Sequence, residues 1–99
     1  MVVMFDLPVL TKSQRKKATQ FRNDLLGMGF EMAQLSVYMK FCGGRSTADA
    51  LANAVEGQIP TQGHVSILTI TDKQYGNMRV YDGAVQRPIQ PDRGQLVLF

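Results

Sequence analysis

The hydrophobic residues of this chain change their spacing several times, and the order of those changes restricts the fold more than any other feature. Residues 2–6 form a short apolar run that ends at Asp6 and is followed by Pro8. Because no polar face interrupts this run, it predicts a β-strand covered on both sides. From Thr11 to about Met28, apolar residues recur every three or four positions, which predicts an amphipathic helix.

The predicted helix has sequence signals at both ends and a basic face between them. Thr11 followed by Gln14 matches a capping box, and Gly29 is a natural C-terminal stop. Five basic residues lie within a segment of eleven residues that contains no acid: Lys12, Arg15, Lys16, Lys17 and Arg22. At about 100° per residue, all of these except Lys17 fall opposite the apolar stripe and face solvent. A charge run of this kind is often only a solvated surface, but mixed signs are usual there.

The segment "FEMAQLSVYMKF" alternates between apolar and polar residues, but its phase changes within the segment. Phe30 and Met32 are apolar at even positions, whereas the later apolar residues stand at odd positions. A shift of one residue turns every side chain to the other face of a sheet. The segment therefore predicts a bulge, a bend or a break between two strands near Ala33 and Gln34.

The second half of the chain predicts one more helix and further strands. Apolar residues from Ala48 to Val55 are spaced as one helical stripe that ends at Gly57. The run "HVSILTIT" from His64 predicts a central strand, and "DKQYGN" predicts a turn. Residues 78–82 are a possible short strand, "GAVQRPIQPDRG" predicts a loop or arm, and "QLVLF" predicts a terminal strand.

This order of elements predicts an α+β fold of the ferredoxin-like type (βαββαβ) with both helices on one sheet face and an additional C-terminal strand. We expect a domain at residues 1–82 and a C-terminal arm at residues 83–99. The other sheet face would be bare, which predicts a symmetric homodimer. The terminal "QLVLF" is then a candidate for pairing with an edge strand of the partner subunit or of another protein.

Composition excludes several function classes. The chain has 99 residues, a formal net charge of +3, one cysteine and one histidine. One His and one Cys in distant segments cannot supply the three or four ligands of a zinc site, and no glycine-rich phosphate loop follows a strand. No apolar stretch is long enough for a membrane span, and the single cysteine cannot form an internal disulfide; a cytoplasmic protein is expected.

Asp6 is the residue on which a catalytic or metal-binding hypothesis would rest. One interpretation is structural, with the carboxylate bonded to the following turn or to the N-terminus of the first helix. The other is a magnesium ligand, because Mg²⁺ binds through one or two carboxylates together with water and substrate phosphates. Two copies of Asp6 across a dimer, or one Asp6 with nucleic-acid phosphates, would make a better site than Asp6 alone.

Several motifs together resemble the CRISPR-associated endoribonuclease family, the small adaptation protein of CRISPR systems, with type II members most similar. They are "MFDLP", "TKSQRKKATQFRNDLLGMGFEM", "QLSVYMK", "ILTITDKQYGNM" and the final "LVLF". The resemblance implies a ferredoxin-like homodimer in which Asp6 is the Mg²⁺ ligand and therefore the candidate catalytic residue. It matches Arg15 to an arginine early in the first helix, and Ser36 and Tyr38 to a Ser-Val-Phe/Tyr element. Many members have a second acid soon after the first, whereas the next carboxylate here is Asp24.

The resemblance leaves two functions to compare. In the first, the dimer is a scaffold for spacer acquisition that binds duplex DNA (the prespacer) and bridges two dimers of the CRISPR integrase subunit. Lys12, Arg15, Lys16 and Arg22 would contact phosphates, with Ser36 and Tyr38 as secondary candidates. In the second, the protein is a Mg²⁺-dependent endonuclease acting on RNA or DNA. A small-molecule regulatory module, another use of ferredoxin-like dimers, agrees less well with the basic helix.

Overall fold

The structure is a computed structural model that describes residues 1–88. Its elements in chain order are β1 (Val2–Asp6), α1 (Lys12–Gly27), β2 (Glu31–Gln34), β3 (Val37–Met39), α2 (Arg45–Glu56), β4 (His64–Leu68), α3 (Asp72–Gly76), β5 (Val80–Asp82) and β6 (Val85–Arg87). The first six of these helices and strands follow the predicted βαββαβ order. The predicted strand "QLVLF" lies outside the described residues.

The main sheet has four antiparallel strands in the order β2-β3-β1-β4. This order and pairing are consistent with the ferredoxin-like arrangement predicted from the sequence. The first strand lies between β3 and β4, with Val3 opposite Tyr38 on one side and Ile67 on the other. The apolar opening of the chain therefore forms a central strand, as its lack of a polar face predicted.

One hydrophobic core joins the sheet to both long helices. Val3 and Phe5 of β1 belong to the same buried cluster as Phe21 and Leu25 of α1 and Val55 of α2. The rings of Phe5 and Phe21 meet edge to face at 5.2 Å between centroids. Because Val3 and Phe5 point to the same side of β1, both helices cover that one face of the sheet.

The opposite face of the sheet is not covered by these helices. It presents alternate residues of the central strands, with Val2 directly opposite Met39 and Leu68, and Met4 opposite Val37. We call this set the open sheet face. Val2 and Met39 are buried, Met4 and Val37 are half-buried, and Leu68 is 49% exposed.

The phase change in "FEMAQLSVYMKF" produces two short strands and an irregular register. A turn at Leu35 and Ser36 separates β2 from β3, and the β2–β3 pairing shifts between Met32 and Gln34. Ser36 takes a positive φ of 61° to make this tight turn. Both features predicted near Ala33 and Gln34, a break and a bulge, are thus confirmed.

The prediction that the strand from His64 is central was wrong. Within residues 1–88, β4 pairs only with β1 and forms an edge of the sheet. Its side chains alternate: Val65 and Ile67 are half-buried toward the core, whereas His64 and Ser66 are exposed. A strand covered on one face needs only every second residue to be apolar, and the alternation in β4 matches burial against the core on one side only.

Two segments predicted as irregular are ordered. The segment predicted as a turn is α3, whose Thr71–Gln74 capping box repeats the Thr11–Gln14 box of α1. The loop prediction was wrong for residues 85–87, which form β6 and pair with β5. The predicted strand at 78–82 is confirmed in part, because β5 comprises Val80–Asp82. A two-residue turn with Gly83 at φ 63° joins these strands, and glycine is favoured at the first position of such turns.

No helix among residues 1–88 is long and apolar enough to cross a membrane. The predicted domain boundary at residue 82, and the cytoplasmic localisation expected from composition, stay predictions.

Candidate nucleic-acid interface

The basic side of α1 is presented to solvent because the other side is fixed in the core. Ala18, Phe21 and Leu25 are buried, so the opposite arc of the helix faces outward. The start of the helix is held by the capping box, in which the Gln14 amide N–H donates to Thr11 Oγ1 at 3.1 Å. The Thr11 amide in turn donates to Gln14 Oε1 at 3.0 Å. These contacts define both the first turn and the direction of its basic side chains.

A shallow groove runs along this exposed arc. The residues that line it are Lys12, Arg15, Lys16, Thr19 and Gln20, and we call this set the basic groove. Its three basic side chains are exposed, and within residues 1–88 none of them forms an ion pair with a carboxylate. The charge of the groove is therefore not neutralised by the described part of the chain.

Arg15 is the most firmly positioned cation of the basic groove. Its Nη1 donates to the carbonyl oxygens of Val9 and Leu10 at 3.1 Å and 3.2 Å. A guanidinium has five N–H donors in a fixed planar arrangement, so the remaining donors stay available to an anion. Arg15 therefore stabilises the loop between β1 and α1 and still presents its charge to the groove.

Arg22, the fourth predicted contact, does not line the groove. It lies farther along α1, is half-buried, and donates from Nη2 to Thr19 Oγ1 at 3.2 Å. Lys12, Arg15 and Lys16 are thus brought together by the structure, and Arg22 lies beyond Thr19.

Asp6 is the last residue of β1 and its side chain is exposed on the side of the sheet away from the helices. Its backbone is held from two directions. The neighbouring Phe5 amide donates to the Ser36 carbonyl at 3.1 Å, and a Cβ built on Gly63 would lie only 2.7 Å from the Asp6 carbonyl oxygen. Within residues 1–88 no group of three or more His, Cys, Asp or Glu residues is arranged for a metal ion.

The two secondary candidates occupy different environments. Ser36 is half-buried in the turn before β3, where its carbonyl oxygen accepts a hydrogen bond from β1. Tyr38 is 3% exposed and its ring stacks on Phe5 at 5.6 Å between centroids. The Tyr38 ring therefore packs in the core, and its face is not accessible to a nucleic-acid base.

Sequence reasoning missed the neighbour of Asp6. His64 is the first residue of β4 and lies directly opposite Asp6 in the β1–β4 register. The two residues are far apart in the sequence, so only the strand register reveals the pair. Nearby, the Gln14 side chain donates to Gln62 Oε1 at 3.2 Å, which links the start of α1 to the segment before β4.

Comparison with known families identifies one that matches most of the chain. The family described as CRISPR associated protein Cas2 matches residues 1–78. The chain belongs to this Cas2 family. The match covers the basic groove, Asp6 and His64, and ends before the β5–β6 hairpin.

Individual Cas2 relatives are similar over nearly the whole chain. The protein of Paracidovorax avenae, named CRISPR-associated endoribonuclease Cas2, is 48% identical over 100% of this chain and 92% of its own length. The protein of the same name from Parvibaculum lavamentivorans is 42% identical over 99% of this chain and 97% of its own length. The one from Flavobacterium psychrophilum is 39% identical over 99% of this chain and 85% of its own length. The similarity to the family predicted from the sequence is confirmed, while a particular closeness to type II members stays a prediction.

Proposed function

We propose that this protein acts in CRISPR adaptation as a dimeric scaffold that binds duplex DNA and bridges dimers of the integrase. The observation that supports this most directly is the basic groove of α1, with Lys12, Arg15 and Lys16 exposed and unpaired with carboxylates in residues 1–88. A surface that captures DNA of any sequence needs phosphate contacts and no contacts with base edges. The groove is shallow and its cations lie on a rigid helix, which suits a phosphate backbone.

The proposed homodimer is supported by the open sheet face. This face carries Val2, Met4, Val37, Met39 and Leu68, and Leu68 is still 49% exposed. Covering Leu68 and the accessible parts of Met4 and Val37 with a second copy removes apolar surface from water at about 25 cal/mol per Å², whereas Val2 and Met39 are already buried within the chain. Within residues 1–88 the outer edge of β4 is also unpaired, so it can accept a further strand, for which the terminal "QLVLF" remains our candidate.

The test of the scaffold is the salt dependence of duplex binding. Each phosphate contact contributes a slope of about −0.9 to a plot of log affinity against log salt concentration, so the three groove cations predict about −2.7 per subunit. Lys16→Ala should make the slope shallower by about 0.9 per subunit and weaken binding to all sequences equally. Lys73→Ala is the matched control, because it removes the same charge from exposed α3.

A slope that does not depend on Lys16, or that changes as much in Lys73→Ala, would refute the proposed groove. The integrase contact needs a separate measurement, namely co-elution of the purified integrase with this protein and duplex DNA. The scaffold hypothesis expects a stable ternary complex in which one dimer of this protein is bound by two integrase dimers.

A second candidate function is a Mg²⁺-dependent endonuclease on RNA or DNA. It is supported by the exposed carboxylate of Asp6 at the end of β1 and by the name endoribonuclease carried by the relatives. A lone carboxylate suits Mg²⁺, which keeps several waters and takes further oxygens from substrate phosphates. When bound, the ion would polarise the phosphate and activate water. Asp6 would hold the ion, and its rigid strand end would position the carboxylate.

The nuclease hypothesis is tested with Asp6→Asn in highly purified protein. We expect loss of any Mg²⁺-dependent cleavage, with DNA binding at fixed salt unchanged because Asp6 lies outside the basic groove. Asp49→Asn, an exposed carboxylate in α2, is the control and should leave cleavage intact. Cleavage that persists in Asp6→Asn would show that Asp6 is not the metal ligand of the reaction.

A further inference from the structure

The loop between β1 and α1 carries two exposed apolar side chains beside the basic groove. Leu10 is 88% exposed and Val9 is 52% exposed. The loop segment at residues 7–10 consists only of Leu, Pro and Val, so it differs sharply from the row of cations that follows it on α1. Leu10 buries little of its surface against its own chain, and it therefore gains from contact with the molecule that occupies the groove.

Leu10 is held in this exposed position by the first turn of α1. Its amide donates to Gln14 Oε1 at 2.9 Å, and its carbonyl oxygen accepts from Arg15 Nη1 at 3.2 Å. The same Nη1 atom also donates to the Val9 carbonyl oxygen at 3.1 Å. The Leu10 amide and carbonyl thus both have partners within the protein, and the side chain is carried by a fixed backbone.

The contact with Arg15 also places Leu10 next to the position at which a phosphate would bind. Arg15 lines the basic groove, and its remaining N–H donors are available to an anion. In a nucleic-acid backbone a sugar lies on each side of every phosphate, so a side chain adjacent to the bound phosphate meets the edge of a sugar. In DNA the 2′ position of that sugar carries only hydrogen, whereas in RNA it carries a hydroxyl that donates and accepts hydrogen bonds.

We propose that Leu10, with Val9 beside it, packs against the deoxyribose next to the phosphate bound by Arg15 and so makes the basic groove select DNA over RNA. A 2′-hydroxyl at this contact would lose its water to an apolar side chain, and burying a hydroxyl without a hydrogen bond is unfavourable. The Leu10 amide is already bonded to Gln14 and its carbonyl oxygen to Arg15, so Leu10 offers the hydroxyl no free N–H donor. This inference rests on the proposed function of the basic groove and adds the type of sugar that the groove accepts.

The experiment compares the dissociation constants of the full chain for three duplexes of one sequence and length, namely DNA, RNA and 2′-fluoro-RNA. All three are measured at one salt concentration without divalent ions, so that no metal-dependent cleavage intervenes. The fluorinated duplex keeps the A-form shape of RNA but has no 2′-hydroxyl, and it therefore separates recognition of the hydroxyl from recognition of helix shape. We expect DNA to bind about tenfold more tightly than RNA, with 2′-fluoro-RNA closer to DNA. A fluorinated duplex that binds as weakly as RNA would overturn the inference.

Leu10→Ser tests the side chain itself, because it makes the contact polar without changing a charge. We expect the dissociation constants for DNA and RNA to approach each other in this variant, while the dependence of DNA binding on salt stays the same. Leu26→Ser, at an exposed leucine of α1 outside the groove, is the matched control and should keep the original preference for DNA. An unchanged preference in Leu10→Ser would also overturn the inference.

Failure of this inference is distinguishable from failure of the proposed function. Lys16→Ala should weaken binding to all three duplexes by the same factor, because it removes a phosphate contact and leaves the sugar contact in place. If the salt slope responds to Lys16→Ala but the preference for DNA does not respond to Leu10→Ser, the groove binds phosphate and only the role of Leu10 is wrong. If Lys16→Ala has no effect on the salt slope, the groove itself is not the binding surface and both proposals fail.

Discussion

Replacing Gly63 with alanine should destabilise this fold, because two separate costs coincide at that position. Gly63 has a φ of +96°, a region that residues with a Cβ rarely adopt. In addition, a Cβ there would lie 2.7 Å from the Asp6 carbonyl oxygen, 2.8 Å from Leu7 Cδ2 and 3.0 Å from Pro8 Cδ. Since the first of these atoms belongs to the backbone of the central strand, the clash cannot be relieved by rotating a side chain.

The two costs can be separated with a second glycine. Gly29 has nearly the same φ, +94°, but its added Cβ would meet the flexible end of Lys40, with Nζ at 2.8 Å. An unfavourable φ costs about 1–3 kcal/mol at either site. Displacing packed backbone at Gly63 adds about 1–3 kcal/mol, whereas swinging the Lys40 amine away from the Met28 carbonyl adds about 1 kcal/mol or less.

We therefore expect a loss of about 2–6 kcal/mol in the free energy of unfolding for Gly63→Ala, and a smaller loss for Gly29→Ala. The assay is urea unfolding followed by far-ultraviolet circular dichroism at one fixed protein concentration, because dimerisation would couple stability to concentration. Gly27→Ala is the baseline: no atom lies near its Cβ, and a gain of about 0.5–1 kcal/mol is expected. The reasoning would be refuted if Gly63→Ala were no more destabilising than Gly29→Ala.

Three further predictions address the core, the first helix cap and the open sheet face. Leu25→Ala should lower the free energy of unfolding by about 2–5 kcal/mol in urea titrations, because Leu25 is fully buried. Leu26→Ala, at a residue that is 50% exposed, should lower it far less. Similar losses in the two variants would contradict the assigned core. Thr11→Ala should cost about 1 kcal/mol in the same titrations through loss of the capping box, and Thr47→Ala, at an exposed position of α2, should not; equal effects would argue against the cap. Leu68→Glu should convert the proposed homodimer to monomers in sedimentation measurements. Leu26→Glu, at an equally exposed residue of α1, should leave the protein dimeric. A dimeric Leu68→Glu protein would show that the open sheet face is not the interface.

The parts of the fold that could be predicted from sequence are those in which burial imposes a regular pattern. The β1 run and the stripes of α1 and α2 have one consistent period each, and all three elements are where the pattern placed them. The phase change near Ala33 and Gln34 was equally informative, since only a break or a bulge keeps apolar side chains on one face.

The errors came from local signals that were outweighed by adjacent ones. Apolar residues after Ser66 made the strand from His64 resemble a central one, but the apolar pattern reflects which faces are buried, and the number of neighbouring strands is set by the sheet order. The Thr71–Gln74 capping box is divided between the predicted strand, which includes Thr71, and the predicted turn, which includes Gln74, and Gly83 belongs to the segment predicted as a loop or arm. Each of these signals is only a few residues long, so the stronger pattern of the neighbouring segment obscures it.

The candidate site was predictable in its charges but not in its contacts. The basic face of α1 follows from the helical period, and Asp6 was placed at a strand end. Its pairing with His64 could not be found, because the β1–β4 register depends on how the chain between α2 and β4 crosses back over the sheet. The approach of Gly63 to Asp6 is likewise a tertiary contact that no local pattern contains.

The position of Tyr38 provides the protein with an internal optical probe. The chain has no tryptophan and three tyrosines, of which Tyr81 is 51% exposed and Tyr38 is 3% exposed and stacked on Phe5. An aromatic ring held in an asymmetric, rigid environment gives a near-ultraviolet circular dichroism signal that vanishes when tertiary packing is lost. The ellipticity that Tyr38 contributes to the tyrosine band therefore reports on the packing of β3 against β1, and it separates loosening of the core from melting of the helices without any introduced label.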